Sequence, residues 1–288
     1  KKTHKITKAM YLISSAKMSR VKADLDRTRP YFNALQAEIK RIFRTVEDAD
    51  SPYIYPDVLP THPNGVFACL VITADKGLAG SYNLNVIREA EALLAEHPAT
   101  RLFVVGDYGR RYFMQRSIPI ETDFRYSAKN PTMEKAREIC NLLLSEFNAG
   151  AVSKIIVIYT DVKNGLEIET RNVRLIPFHK DYFRTHENEK TVTVPFEFMP
   201  SVSAVLESIM QSYISGYIYS ALVDSFCSEQ QARMTAMDGA NRNAEKLLGE
   251  LSAQYNRVRQ SAITMSITEV SAGAKAQKQN SGGKREKQ

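Results

Sequence analysis

The sequence predicts an α/β protein in which the N- and C-terminal helices form a long antiparallel two-helix coiled coil around a small Rossmann-like α/β domain. Three observations predict this fold class. No proline follows Pro200, so the last part of the chain can form one unbroken helix. Apolar residues recur at alternating spacings of three and four in both terminal regions. Between these regions, short apolar runs alternate with segments of helical periodicity, as in a largely parallel sheet.

The first predicted element is a coiled-coil helix over residues 1–50. Its a and d positions supply one half of the predicted seam: Leu25, Phe32, Leu35 and Ile39. Pro30 lacks a backbone donor and is expected to kink this helix or unwind one turn. Residues 1–44 carry twelve Lys or Arg against three acidic residues, a local charge of +9. Such a basic helix suits an acidic protein partner or nucleic acid.

The middle of the chain is predicted to be a linker followed by a folded domain. Residues 51–64 contain four prolines and form the linker, and residues 65–195 form the α/β foot domain. Strands are expected at the apolar runs 66–73, 102–105 and 155–159. Helices are expected between these strands, at 85–97 and 133–147. Residues 180–190 are polar and are expected to form a surface loop.

The C-terminal element is predicted to be a coiled-coil helix over residues 196–274. A helix of residues 201–274 would reach roughly 110 Å, far more than a compact domain needs. Its heptad stripe supplies the other half of the predicted seam: Leu248, Leu251, Tyr255 and Val258. The first helix would cover only roughly 68 Å, so roughly 40 Å of the second helix lacks a companion. We expect this excess to be divided between the foot domain, near residues 205–219, and the far tip.

The far tip is apolar but slim, and we interpret it as a bearing that fits a narrow hydrophobic sleeve made by partner proteins. The predicted bearing residues are Ala262, Ile263, Ile267 and Val270. Residues 275–288 are rich in Gln, Gly, Ser and Lys and are predicted to be a disordered basic tail.

One loop suggests nucleotide chemistry. In residues 72–83, Gly77 and Gly80 follow a strand and precede a helix, as phosphate-binding glycines do. The third glycine of a dinucleotide loop and the Gly-Lys-Ser/Thr end of a P-loop are both missing, and Asp107 is the nearest candidate ribose ligand. The pattern favours a tight turn before a helix. We predict no catalytic residue, no cofactor and no metal site.

The composition excludes several classes of protein. Apolar residues make up 43% of the chain, but no apolar run approaches the roughly 20 residues that a membrane span requires. Cys69, Cys140 and Cys227 are too widely spaced for a metal site or a disulfide framework, so we expect buried thiols.

Three segments resemble the gamma subunit of the F-type rotary ATP synthase: KITKAMYLISSAKM at 5–18, ITADKGLAGSYN at 72–83, and SEQQARMTAMDGANRNAEKLLGELSAQYNRVRQSAITMSITEVSAG at 228–273. The resemblance implies a non-catalytic rotor shaft that couples ion-driven rotation of a membrane ring to ATP synthesis or hydrolysis in a surrounding ring. It implies the alpha and beta subunits, the epsilon subunit and the membrane rotor c-ring as partners. It also implies a peripheral position at the cytoplasmic face of a bacterial inner membrane, in preference to the mitochondrial matrix.

The resemblance also implies coupling residues that face the catalytic ring. These are Lys8, Met10, Arg259, Gln260 and Thr264, which match family positions that contact beta subunits. One departure is visible where many relatives have Tyr-Glu-Pro before the long helix. This chain has Phe198, Met199 and Pro200 there, with Glu197 close by.

Two alternatives from other classes stay open at this level. The first is a nucleotide-binding α/β enzyme with dimerisation helices, which ATP binding by the isolated chain would support. The second is a basic coiled-coil scaffold for nucleic acid, which steeply salt-dependent DNA binding would support.

Overall fold

The computed structural model describes residues 2–45, 53–54, 65–163, 167–178, 198–199 and 201–282. These residues form five helices and four strands. In chain order the elements are α1 (Lys2–Thr45), β1 (Phe67–Ile72), α2 (Tyr82–Glu96), β2 (Arg101–Val105), α3 (Asp107–Gln115), α4 (Met133–Asn148), β3 (Lys154–Lys163), β4 (Glu167–Ile176) and α5 (Val202–Gly282). The chain separates into a larger unit, Ala9–Met237, and a smaller unit, Lys1–Lys8 with Asp238–Gln288.

The larger unit contains one sheet with the strand order β2-β1-β3-β4. β1 lies in the middle and pairs in parallel with both β2 and β3, so that Val71 lies beside Val104 and Ile158. β4 pairs with β3 in the antiparallel direction and forms an edge. The three predicted strands are therefore confirmed, and their near-continuous burial follows from helices on both faces.

Side chains alternate between the two faces of the sheet and form two cores. Cys69 and Val71 of β1 pack with α2 and α3 through residues such as Ile87 and Phe113. Leu70 and Ile72 of the same strand point into the opposite core. That second core combines α4 with α1 and α5, and its buried members include Ile139, Ile39 and Ile218. The sheet is thus the layer that positions the long helices.

In the larger unit, α1 packs against the first part of α5. The predicted seam residues Leu25 and Ile39 are buried, and Phe32 and Leu35 are half-buried at the same core. The ring of Phe32 covers Gly216, where an added Cβ would lie 2.0 Å from Phe32 Cε1. α1 continues through Pro30 without an unwound turn. These four side chains therefore face the core that α1 shares with the first part of α5.

The other half of the predicted seam is exposed among the residues that the structure describes. Leu248, Leu251, Tyr255 and Val258 are exposed by 42%, 59%, 67% and 68%. In the smaller unit the Thr7 hydroxyl donates to Asn241 Oδ1. This contact places Thr7 of α1 beside Asn241 of α5.

Two matching heptad stripes do not determine their register, because an equal period allows several alignments. At 206–223, α5 packs into the core that also contains α1 and the sheet, whereas every residue from 245 to 277 is exposed.

The helix boundaries also differ from the predicted ones. α1 ends at Thr45, and α5 continues to Gly282, beyond the predicted end at Ala274. Ala, Lys and Gln favour helix, and no proline stops it, so the first part of the predicted disordered tail is helical. Residues 55–64 of the linker, the predicted loop at 180–190, Glu197, Pro200 and residues 283–288 lie outside the described residues. None of the described helices combines the length and apolarity that crossing a membrane requires.

Candidate functional site

α5 fills the crevice where a nucleotide would bind in a Rossmann-like domain. In open parallel sheets, ligands bind at the carboxyl ends of the strands where the strand order reverses, which is here between β1 and β3. The backbone N–H of Thr160, near the end of β3, donates to Ser225 Oγ over 3.2 Å. The buried Ser228 hydroxyl donates to Thr160 O over 3.1 Å. The two α5 serines therefore take the backbone donor and acceptor at that position.

The glycine loop after β1 is held against the same helix. Arg233 Nη2 donates to Gly77 O over 3.1 Å, and Arg233 forms an ion pair with Glu229 one turn earlier. Gln230 Nε2 donates to the other Glu229 oxygen over 2.7 Å. Burial raises the pKa of Glu229, although the Arg233 charge acts in the opposite direction. The loop thus contacts a protein helix through a buried polar network.

The glycine loop at 72–83 forms a tight turn before a helix, which is the structure that the sequence pattern favoured. Gly80 has a φ of +55°, and α2 begins two residues later, at Tyr82. The Ala74 backbone N–H donates to Asn83 Oδ1 over 2.9 Å, which ties the loop to the first turn of α2. Asp107, the nearest candidate for a ribose ligand, begins α3, and its backbone N–H donates to Asp75 Oδ1 over 3.3 Å. The loop and Asp107 are therefore joined through Asp75.

The three cysteines behave as structural thiols. Cys69 and Cys140 are buried, and Cys227 is half-buried. Burial raises the pKa of Cys140 and of Cys227 to about 11, and it also raises the pKa of Cys69. A thiol with so high a pKa is a poor nucleophile at neutral pH.

The predicted coupling residues lie in separate places. In the larger unit, Met10 is half-buried and lines a cavity of about 290 Å³ with Ile13, Leu78 and Arg233. In the smaller unit, Lys8 is exposed beside the Thr7–Asn241 contact. Arg259 lies 18 residues beyond Asn241 on α5, a distance of about 27 Å along a helix. The structure does not bring Lys8 and Arg259 together.

The C-terminal part of α5 forms a long exposed surface. Every residue from 245 to 277 is exposed, including Arg259, Gln260 and Thr264. Gln260 and Thr264 are four residues apart and share a face. The predicted bearing residues Ile263, Ile267 and Val270 follow at spacings of four and three and form one apolar stripe, with Ala262 beside it. Within the described part of the chain, no other residue covers this stripe.

Comparisons with known proteins agree on one family. A family model described as ATP synthase matches residues 1–277. The ATP synthase gamma chain of Caldanaerobacter subterraneus subsp. tengcongensis is 39% identical over 282 residues, which is 95% of each chain. The chain belongs to the ATP synthase gamma chain family. The gamma chain of Ruminiclostridium cellulolyticum is 35% identical over 94% of this chain and 92% of that relative.

Solved structures show that the fold is that of the gamma chain family. The central stalk and c-ring structure of the Tetrahymena thermophila mitochondrial ATP synthase contains a chain that matches with a TM-score of 0.58 and 22% identity, over 82% of this chain and 99% of that chain. A chain of the Euglena gracilis mitochondrial ATP synthase matches with a TM-score of 0.55 and 13% identity, over 93% and 94% of the two chains. The long helices and the small sheet domain thus form a fold that these chains share.

The sequence did not reveal the residues that fix α5 to the sheet domain of this gamma chain. Ser225, Ser228, Glu229, Gln230 and Arg233 precede or begin the long motif of the C-terminal helix. A single feature pointed to them, which is the run of mostly polar residues SEQQAR at 228–233, after the largely apolar segment YIYSALVDSFC at 217–227. Polar residues in the middle of a buried helix require buried partners. Which partners they find depends on the fold.

Proposed function

We propose that this chain is the non-catalytic rotor shaft of a rotary ATP synthase, coupling ion-driven rotation of a membrane ring to ATP synthesis or hydrolysis in a surrounding catalytic ring. The observation that carries the proposal is the exposed, apolar-striped end of α5, residues 245–277. This segment covers about 50 Å of helix. Large exposed apolar surfaces are typical of interaction sites, and a narrow cylinder of this kind suits a sleeve made by several partner subunits.

A shaft must receive torque at one end without slipping. The contacts of α5 with the sheet domain serve this purpose, because Ser225 and Ser228 engage the β3 backbone and Arg233 engages the glycine loop. These contacts differ in direction, so they resist both rotation and sliding of the helix on the sheet. The apolar contact of α1 with the first part of α5 adds stiffness.

The chemistry of ATP belongs to the partners in this proposal. Serine side chains of the chain itself fill the sheet crevice at which a nucleotide would bind, which opposes the alternative of a nucleotide-binding enzyme. The partners are the alpha and beta subunits around the shaft, and the epsilon subunit and the membrane rotor c-ring at the foot domain. The chain acts as a peripheral subunit on the cytoplasmic face of a bacterial inner membrane.

The exposed polar residues of α5 supply the contacts that change during rotation. Arg259 offers planar donors suited to carboxylate or amide oxygens, and Gln260 and Thr264 offer donors and acceptors on a neighbouring strip of the helix. Lys8 and Met10 contact the ring from α1. A charge-assisted hydrogen bond of this kind contributes about 1.5–3 kcal/mol.

The test is the paired substitution Arg259→Ala/Gln260→Ala in a complex assembled with alpha and beta subunits. Loss of these contacts is expected to lower the ATP synthesis rate about tenfold, because about 1.4 kcal/mol corresponds to a factor of ten. The control is Gln254→Ala, which changes an exposed residue of the same helix at five and six residues from Arg259 and Gln260, outside the spacings of three and four that share a face. Equal rates for the control and the double variant would remove Arg259 and Gln260 from the coupling surface.

A further inference from the structure

Asp75 occupies an unusual position in the glycine loop after β1. Its side chain is only 4% exposed. Oδ1 accepts the backbone N–H groups of Asp107 over 3.3 Å and Ala128 over 3.1 Å, and Oδ2 accepts the Ser127 hydroxyl over 2.7 Å. The Lys129 ammonium lies 3.9 Å from Oδ2. Four donors from two separate segments therefore converge on one carboxylate.

Three features of the fold direct these donors to one point. Gly106 has a φ of +92°, and a Cβ there would lie 2.4 Å from Thr73 O, so only glycine lets α3 begin this close to β1. The Tyr108 N–H donates to Ala74 O over 3.0 Å, which fixes the start of α3 beside the loop. On the other side, the Arg111 guanidinium donates to the Asp75 carbonyl over 3.3 Å. The site is thus held in place by contacts other than the carboxylate itself.

The approach from solvent is wide and basic. A cavity of about 370 Å³ lies beside the donors and shares Asp107 and Ser127 with them. Arg110 and Arg125 line this cavity, and Ser127 and Lys129 are exposed. Positive charge at an open mouth raises the local concentration of small anions.

We propose that the backbone N–H groups of Asp107 and Ala128, the Ser127 hydroxyl and the Lys129 ammonium form a carboxylate-binding cradle, which the chain fills with its own Asp75 side chain. The cradle accepts a free carboxylate once the Asp75 side chain is removed. The ligand class is a small monocarboxylate such as formate or acetate, because two oxygens on one carbon satisfy the same donors. The proposal is independent of the role of the chain in rotation.

The test is chemical rescue of Asp75→Ala in the full chain, measured as the melting temperature in sodium formate and in sodium chloride of equal ionic strength. Removal of the carboxylate leaves the donors unpaired, so the variant is expected to melt several degrees below the unsubstituted chain in chloride. Formate at about ten times its dissociation constant is expected to raise the melting temperature by about 3 °C, with a saturating dependence on concentration. Benzoate, whose ring exceeds the space of one side chain, is expected to give no increase.

Two variants separate a cradle from a general salt effect. Asp161→Ala removes a carboxylate that pairs with Arg171 outside the cradle, and formate is expected to leave its melting temperature within about 1 °C of the chloride value. Asp75→Ala/Ser127→Ala also lacks the Asp75 carboxylate, and in addition it lacks the closest donor, the Ser127 hydroxyl. The formate concentration that gives half of the increase in melting temperature is expected to be about tenfold higher for this double variant.

Several results would overturn the proposal. If Asp75→Ala is as stable in chloride as the unsubstituted chain, the Asp75 carboxylate does not stabilise the fold by pairing these donors. Equal responses to formate in Asp75→Ala and Asp161→Ala would show a bulk salt effect. If Asp75→Ala does not refold from urea in chloride, recovery of soluble monomer in formate alone supports the cradle, and no recovery in either salt contradicts it.

Discussion

Single residues decide how closely the two long helices approach. Gly216 lies under the Phe32 ring with no room for a Cβ, whereas Gly239, also in α5, has no heavy atom within 4 Å of the position where its Cβ would lie. Both glycines weaken a helix by about 1 kcal/mol relative to alanine. Only Gly216 compensates for this cost by allowing an aromatic ring to pack on the helix backbone.

We therefore expect opposite effects from the same substitution at these two glycines. Gly216→Ala should displace Phe32 and lower the free energy of unfolding by about 1–2 kcal/mol. Gly239→Ala should raise it by up to about 1 kcal/mol. Urea denaturation of the full chain measures both changes. Phe32→Ala in the Gly216→Ala background should remove the clash, so a double-mutant cycle without coupling would contradict the close packing.

The half-buried carboxylate of Asp224 makes part of the stability depend on pH. Burial raises the pKa of Asp224 to about 6, and the nearby Asp161 charge adds to this shift. The Ser220 hydrogen bond and the Arg29 and Arg171 charges act in the opposite direction. Because the folded pKa exceeds the unfolded value of about 3.9, the folded state binds the proton more tightly. The stabilisation that proton binding by Asp224 contributes is complete below about pH 4 and is lost as the pH rises through about 6.

Asp224→Asn removes this titration. At pH 8, the free energy of unfolding of the variant is expected to be about 2 kcal/mol higher than that of the unsubstituted chain. At pH 4, the two free energies are expected to be nearly equal. Urea midpoints at the two pH values measure the effect. A stability difference that stays constant between pH 4 and pH 8 would exclude Asp224 as the group responsible.

At the scale of elements, α5 changes character along its length. Its first part packs in the core, where residues such as Leu206 and Ile218 are fully buried, while every residue from 245 to 277 is exposed. The sequence predicted the seam residues of this helix at 248–258 and packing on the foot domain near 205–219. The burial of the first part agrees with the second of these expectations.

A pair of charge substitutions tests this division of α5 and α1. Because the Leu251 side chain is exposed, Leu251→Asp should change the free energy of unfolding of the isolated chain by no more than about 0.5 kcal/mol. Leu25→Asp, at a buried position of the same predicted seam, should cost about 3 kcal/mol or more because the charge has no partner. Melting temperatures of the two variants measure the difference. Equal losses would restore the predicted seam.

Two elements escaped the sequence prediction for physical reasons. α3 has nine residues and no long apolar stripe, and the Gly106 conformation starts it. β4 is an edge strand in which charged residues alternate with apolar ones, so it lacks the continuous apolar run that marks β1–β3. The Asp75 and Arg233 contacts could not be predicted either, because each joins residues far apart in the chain.

At the scale of the whole molecule, the exposed tip and the tail should differ in importance. Ile267 lies in the apolar stripe, and Ile267→Lys would place a charge in the proposed sleeve. We expect this variant to impair assembly with the alpha and beta subunits or to lower the ATPase rate of the complex several-fold. Deletion of residues 279–288 should leave both nearly unchanged, because this segment is polar and has no apolar face to insert.

ATPase assays of the assembled complexes compare Ile267→Lys with the deletion of residues 279–288. The matched control is Thr268→Lys, which adds the same charge at the next position of the helix, outside the line of Ile263, Ile267 and Val270. Greater damage from the tail deletion than from Ile267→Lys would contradict both the sleeve and the dispensable tail.

The sequence by itself determined the positions of β1–β3, the uninterrupted terminal helix and the family. These features follow from local periodicity, the absence of proline and long motifs, which need no knowledge of distant contacts. The tertiary structure alone decided the packing of Phe32 on Gly216 and the contacts that converge on Asp75. Each of these joins residues far apart in the chain, which become neighbours only when the sheet and the helices pack together.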